Sequence, residues 1–346
     1  MPVNLKRVEE IADAVLYEGY MLYPYRPSSL KNQQRFNFGV LYPQSWCESQ
    51  SASDSHSLQA ECLLRASAQT QLTIKVRFLQ LRERLVQRCG CSGIGDFVTR
   101  LEVDDRVWQP WQEAEEQDFT LNGIKPASLE DRRSMQFSLP ASESVEALRK
   151  SSGEQIGQVI RRSTAIAGSL DVSVEKHTHN IIKLRVLVQN RSQFDMSGRH
   201  LTRDAALAQS FICAHLILAL DDGEFISLLE PPADLDDLAR CCRNIGVWPV
   251  LAGENTSVVL ASPIILYDYP QIASESVGNL FDATEIDEIL SLRILTLTEE
   301  ERAEVRQSDD RARLALERTE QIPNDQFMKL HGVLRGYALS ERVPDE

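Results

Sequence analysis

The stretch Ser169–Ser192, SLDVSVEKHTHNIIKLRVLVQNRS, decides how the rest of the chain is read. Leu170, Val172 and Val174 alternate with polar residues, and Ile182, Leu184, Val186 and Val188 do so again after the polar KHTHN. A period of two places one side-chain row on a buried face and the other in solvent, so the stretch predicts two strands joined as a hairpin. The same alternation occurs upstream in QLTIKVRFLQLRERL, with Leu72, Ile74, Val76 and Phe78 on one face and a phase change at Leu79. It continues in shorter, more polar form through VTRLEVDDRVWQPWQEAEEQDFTL and RSMQFSLP, where Trp108 and Trp111 around Pro110 suggest a sheet edge or bulge.

Long strands separated by polar loops, with few helical periods before residue 200, favour an antiparallel sandwich over a parallel α/β sheet. The expected class is therefore α+β, mainly antiparallel β: a sandwich-like part over residues 1–200 and a mixed region over 201–346 ending in helices, the two packed separately or as one unit. Leu5–Tyr17 is a helix candidate, with Val8, Ile11, Ala12, Val15 and Leu16 at helical spacing, although Ala14–Tyr25 also suits an extended chain. Pro43–Gln59, rich in Ser, Asp and Gln, reads as a loop. After residue 200, AALAQSFICAHLILALDDGEFISLLEPP reads as a helix running into a strand, a turn at Asp221–Gly223 and a second strand. ADLDDLARCCRNIG reads as a helix closed by Gly246, and VWPVLAG and SVVLASPIILYDYP as short buried strands. From Thr284 the pattern turns helical, with Thr298 and Glu301 in a capping-box arrangement.

With 346 residues the chain is long enough for a large core, and its net charge of −14 opposes a nucleic-acid or anionic-membrane partner. The N-terminus lacks the apolar run of a secretory signal and no segment has the apolar length of a bilayer span, which leads to the expectation of a cytoplasmic protein without membrane insertion. Seven cysteines at irregular spacing fit reduced thiols.

Candidate chemistry is sparse. His177 and His179 share a strand face if the strand continues through them, the spacing of some metal sites, or are solvated in a hairpin turn. Cys89 and Cys91 in RCGCSGIG form a Cys-x-Cys pair that suits a metal, or small buried thiols in a glycine-rich loop. Cys241 and Cys242 diverge by about 100° on a helix and cannot easily chelate together. Cys213 and His215 lie in an apolar run and read as core, and GCSGIGD lacks the Walker lysine. Two stretches carry residues that dominate interface hot spots: Tyr20, Tyr23, Tyr25 and Arg26, and Tyr267, Asp268 and Tyr269 leading to Glu285 and Asp287. The two acids also suit a helix N-terminus on electrostatic grounds alone.

The motifs ADAVLYEGYMLYPYR, GEFISLLEPP, VWPVLAG and LASPIILYDYPQIA with LFDATEIDEILSLRILTLTEEER resemble a family encoded beside actinobacterial-type, oxygen-tolerant NiFe uptake hydrogenases. The resemblance spans Ala12 to about Arg318 and brings no catalytic residues with it. It implies a non-catalytic accessory protein, without a cofactor of its own, supporting assembly or maturation of the hydrogenase through contacts with its subunits or maturation factors. The alternative is a metal carrier or metalloenzyme using His177, His179, Cys89 and Cys91.

Overall fold

The computed structural model describes residues 5–21, 39–49, 54–90, 93–104, 106–177, 180–197, 202–271 and 297–308, with 313, 316, 317, 320 and 321. In chain order its strands are β1 (Ser57–Arg65), β2 (Leu72–Gly90), β3 (Gly93–Phe97), β4 (Leu101–Val103), β5 (Arg106–Trp108), β6 (Trp111–Ile124), β7 (Arg133–Leu139) and β8 (Ser142–Arg149). They continue with β9 (Gln155–Ser163), β10 (Ile166–Lys176), β11 (Ile181–Asn190), β12 (Ile212–Leu220), β13 (Glu224–Ile226), β14 (Trp248–Leu251) and β15 (Val258–Ser262). The helices are α1 (Lys6–Met21), α2 (Gln44–Ser49), α3 (Arg203–Leu207), α4 (Asp236–Arg240) and a last one at Glu299–Ser308. The class is thus α+β and mainly antiparallel.

The hairpin expected at Ser169–Ser192 is β10 and β11, paired from Gly168↔Asn190 to Lys176↔Ile182. It is the centre of a five-stranded sheet ordered β13-β1-β11-β10-β7. The second sheet runs β14-β15-β12-β2-β9-β8. There β2 is the spine. Both β12 and β6 pair with its first half, Leu72 onward, so they occupy opposite edges; from Glu83 on, β9 takes over the edge of β12, and β3 takes over that of β6. Strands from both sides of residue 200 enter both sheets, since β12 pairs with β2 and β13 with β1.

The main core lies between the sheets. Leu72, Ile74, Val76 and Phe78 of β2 meet Leu58, Ala60 and Leu64 of β1 and Leu184, Val186 and Val188 of β11. At one end of this core Phe78 stacks on Phe211 at 4.4 Å and Phe119 on Phe137 at 4.3 Å between ring centres. Such pairs add about 0.5–1.5 kcal/mol each beyond the burial of their area. Gly168 of β10 makes room for them, because a Cβ there would stand 2.3 Å from the Phe137 ring and 2.9 Å from that of Phe211.

Helix α1 forms where the apolar spacing predicts it and covers the outer face of β12, β15 and β14. Val8, Ile11, Ala12 and Val15 pack on Ile217, Ala219, Val250, Val258 and Leu260. Glu9 pairs with Lys75 at 3.0 Å and Asp13 with the buried Arg77 at 2.6 Å, which fixes the helix over β2.

Several elements depart from expectation. The start of β1, residues 57–59, falls inside the segment read as a loop, and α2 sits inside it too; β1 alternates Leu58, Ala60, Cys62 and Leu64 with Gln59 and Glu61, and all six are buried. Strands β8 and β9 have no forerunner in the reading above. Trp108 and Trp111 are buried, Trp108 in a small cluster with Val86, Leu101, Leu148 and Val159; as expected they lie on edge strands, β5 paired with β4 and β6 with β2 among the described residues, and here Trp108 seals a second core. Helix α4 ends at Arg240, and Gly246, at φ +71°, belongs to the turn that leads into β14. Of the C-terminal helical reading, only the part from residue 297 falls among the described residues.

His215 is fully buried in β12 beside a bulge that places Cys213 at φ +51°. Its Nδ1–H donates to the Cys213 carbonyl at 2.8 Å, while Nε2 has no hydrogen-bond partner. Burial, aided by Arg77 and Lys75 and opposed by the Cys213 hydrogen bond, lowers its pKa from 6.5 to about 3. The pair is core, as its apolar setting suggests. Because the folded pKa is depressed, the stability that His215 contributes is complete above about pH 6.5 and is lost as pH falls toward 3, at about 1.4 kcal/mol per pH unit. Denaturant unfolding at pH 7 and pH 5 should therefore give a drop about 2 kcal/mol larger for the wild type than for His215→Leu; equal drops would refute this assignment. Gly168→Ala should cost about 1–3 kcal/mol by overpacking, read from the same unfolding curves.

Candidate functional site

After β15 the chain continues without regular structure through residues 263–270, bending at 263–264 and 268–269, and its side chains alternate between core and solvent. Ile264 and Leu266 pack into the cluster under α1, whereas Ile265, Tyr267 and Tyr269 are 75%, 87% and 40% exposed. Between the two tyrosines Asp268 points inward. Its Oδ1 accepts from the Leu251 N–H at 2.7 Å and its Oδ2 from the Ser227 hydroxyl at 2.5 Å. The same Ser227 oxygen accepts the backbone N–H groups of Leu229 and Glu230. One carboxylate thus joins three segments, 227–230, β14 and 267–269.

This arrangement also finishes an edge. β14 is the terminal strand of its sheet, and Leu251 directs its N–H and C=O away from β15, where Asp268 and the Tyr269 N–H (2.7 Å) take them up. Pro249, two residues earlier on the same side of the strand, has no N–H to offer. An exposed edge is the usual template for pairing with another chain. Here the backbone is closed and the side chains carry the surface.

Six of the eight large apolar side chains exposed among the described residues lie between Leu229 and Tyr269: Leu229, Ile245, Trp248, Ile265, Tyr267 and Tyr269. Single exposed apolar residues need no explanation, but such a concentration on a hydrogen-bonded scaffold does. Tyr269 also holds φ at +55°, a left-handed conformation that costs an L-residue about 1–2 kcal/mol. Its backbone bond to Leu251 and the Asp268 anchor maintain it.

The expected partner-binding residues Tyr267, Asp268 and Tyr269 therefore come together, with Asp268 in a supporting rather than a contacting role. Tyr20 lies in the last turn of α1, and Tyr23, Tyr25, Arg26, Glu285 and Asp287 fall outside the described residues. VWPVLAG is a strand as expected, but Trp248 is 44% exposed while Pro249, Val250 and Leu251 are buried. Trp248, Leu229 and Ile265 were not singled out from the sequence. The run PIILYDYP past the strand end could have found Ile265; no local pattern marks Trp248 or Leu229.

The metal candidates stand apart. His177 closes the β10–β11 turn through its N–H to Ile181, with Nε2 3.6 Å from the Glu175 carboxylate, and Cys89 lies near the end of β2 in the other sheet. His179 and Cys91 are outside the described residues. Among the described residues no group of three or more His, Cys, Asp or Glu is placed to hold a metal. Burial pushes the thiols of Cys47 and Cys242 up to about 11 and that of Cys62 higher still, so these three remain protonated at neutral pH. Cys89 borders an open hollow of about 650 Å³ with Arg88, Arg100 and Lys150, of which Arg100 and Lys150 already pair with Glu102 and Glu154 at 2.8 Å. A second hollow, of about 610 Å³, lies between Glu83, Arg162 and Asp204.

No known family model matches the chain, and no curated protein matches it either. Among the described residues no helix is long and apolar enough to cross a membrane.

Tyr267 contacts little and Asp268 holds three segments, so the two should separate on substitution. Tyr267→Ala should change unfolding free energy by less than about 0.5 kcal/mol. Asp268→Ala should cost about 1–3 kcal/mol by orphaning the Leu251 N–H and the Ser227 hydroxyl. Thermal or denaturant unfolding of the two variants measures both.

Proposed function

We propose that the protein is a non-catalytic accessory protein of the cytoplasm that supports assembly or maturation of a NiFe uptake hydrogenase by binding its subunits or maturation factors. The observation that carries a binding role is Tyr267, 87% exposed yet set in a segment where Asp268 and Tyr269 are fixed by hydrogen bonds to Leu251 and Ser227. A large aromatic side chain on a rigid backbone loses little entropy when it enters a partner's pocket, which is why tyrosine and tryptophan recur as contact anchors. Tyr269, two residues further on, is exposed as well. The hydrogenase as the setting comes from the resemblance of the quoted motifs, GEFISLLEPP, VWPVLAG and LASPIILYDYPQIA, and these same segments supply β13, β14, most of β15 and the tyrosine-bearing stretch after it.

The test is an affinity purification of the tagged chain from cells expressing the hydrogenase, with mass spectrometry of co-purifying proteins and elemental analysis of the same sample. Hydrogenase subunits or maturation proteins should accompany the wild type and be lost with Tyr267→Ala/Tyr269→Ala, whose circular dichroism should be unchanged. Retention by that variant would dissociate the surface from the partner. A metal-loaded protein without partner would replace the accessory role by the metal-carrier reading of His177, His179, Cys89 and Cys91.

A further inference from the structure

The charge around the aromatic surface says what kind of partner it fits. From Asp221 to Pro270 the chain carries nine acidic residues and two arginines, with no lysine or histidine, so half of the net charge of −14 resides in these fifty residues. One arginine, Arg240, is already bound to Asp236 at 2.9 Å. Glu230, Asp234, Asp237 and Glu254 enter no ion pair among the described residues, and Glu230 directly follows the exposed Leu229, in the turn that the Ser227 hydroxyl holds to Asp268. Helix α4 sets Asp236 and Asp237 in its first turn, after Pro232 and Leu235 close the preceding bend.

Like charges gathered in one stretch repel one another; Asp221, Asp222, Glu224, Asp236 and Asp268 are held by hydrogen bonds or ion pairs, whereas Glu230, Asp234, Asp237 and Glu254 are left to solvent. Such a field attracts cations and raises the association rate of a basic partner. The aromatic groups select in the same direction, because an arginine or lysine is attracted to the face of an exposed tyrosine or tryptophan. The side chains Leu229, Ile265, Tyr267 and Trp248 also need apolar area opposite them to gain from burial.

We infer that the surface formed by Tyr267, Tyr269 and Leu229, with Glu230, Asp234 and Asp237 in the segment that follows Leu229, is a dock for a basic protein segment in which arginine or lysine alternates with large apolar side chains. This inference rests on the binding reading above and specifies its partner's chemistry. The segment does not extend the sheet, because Asp268, Tyr269 and Pro249 close the β14 edge; it is held by side chains.

The test uses the full chain and three fluorescein-labelled twelve-residue peptides, alternating Arg with Leu, Arg with Ser and Glu with Leu, followed by fluorescence anisotropy at 50 and 200 mM salt. The Arg/Leu peptide should bind most tightly and should weaken as salt rises. Its affinity should fall about tenfold or more in Leu229→Ala/Tyr267→Ala and again in Glu230→Gln/Asp234→Asn/Asp237→Asn, two variants that leave the Asp268 anchor intact. Equal binding of the Arg/Ser peptide, equal binding of the Glu/Leu peptide, or no loss in either variant would each overturn the inference, as would the absence of binding. If the affinity purification still yields a partner that depends on Tyr267 while the Arg/Leu peptide fails, the accessory reading stands and the basic dock falls. If the peptide binds as stated and no hydrogenase protein is recovered, the dock stands and the hydrogenase setting falls.

Discussion

Everything in this fold hangs on β2. Its nineteen residues need partners on two edges along their whole length, and four strands supply them: β12 and β6 over the first half, β9 and β3 over the second. An unpaired backbone group in a buried strand costs about as much as a lost hydrogen bond, so none of these can be omitted cheaply. The parity of β2 then assigns the faces. Leu72 to Phe78 line the sandwich core, and the same face carries Arg82 and Arg84 before it turns apolar again at Val86 in the second cluster. Arg84 is almost wholly buried there, donates to the Gln109 carbonyl and pairs with Glu113, which also holds Arg161 at 3.0 Å. A paired ionic layer therefore separates two apolar cores on a single strand. Leaving any one of these charges unpaired in such a place would cost about 3–5 kcal/mol, which makes the layer a constraint on the sequence rather than an ornament.

How much of this was legible follows from burial. β2, β10 and β11 have a core face and a more polar face over much of their length, so a period of two announces them. α1 has one buried stripe and is equally clear. β1 does alternate, with Leu58, Ala60, Cys62 and Leu64 on the sandwich face and Gln59 and Glu61 on the other, where Leu63 packs against Ile226, Leu235 and Ala239; it begins inside a run rich in Ser, Asp and Gln, and that composition masked its start. β8 fails for a different reason: it is exposed along its length, with Val145 56% accessible, except at Leu148, which joins the second cluster, and one buried position sets no period.

Residue type was legible at the candidate surface, but placement was not. Tyr42 is buried and stacks on Trp46, whereas Tyr267 is almost free of contacts; Trp108 seals a core while Trp248 faces solvent. What separates them is the path of the chain after β15, and that path is set by Asp268 reaching Ser227, forty-one residues away in sequence. No local pattern contains that distance. The same limit applies to His177 and Cys89, which belong to different sheets, and no spacing rule could have told whether the fold joins them.

The β14 edge resolves a conflict between stability and recognition. An open edge next to several exposed aromatic and aliphatic residues would be an invitation to self-association, since backbone pairing and apolar burial would reinforce each other. Closing the backbone with Asp268, Tyr269 and Pro249 removes the first attraction, and the acidic surroundings oppose the approach of a second copy bearing the same charges. The left-handed Tyr269 is the local cost of that closure, about 1–2 kcal/mol, offset by the two hydrogen bonds that the turn makes to Leu251. What remains exposed is a set of side chains on a rigid frame in a negative field. Such a surface repels its own kind and favours a partner of opposite charge, so the devices that keep this edge from pairing with itself also define what it can bind.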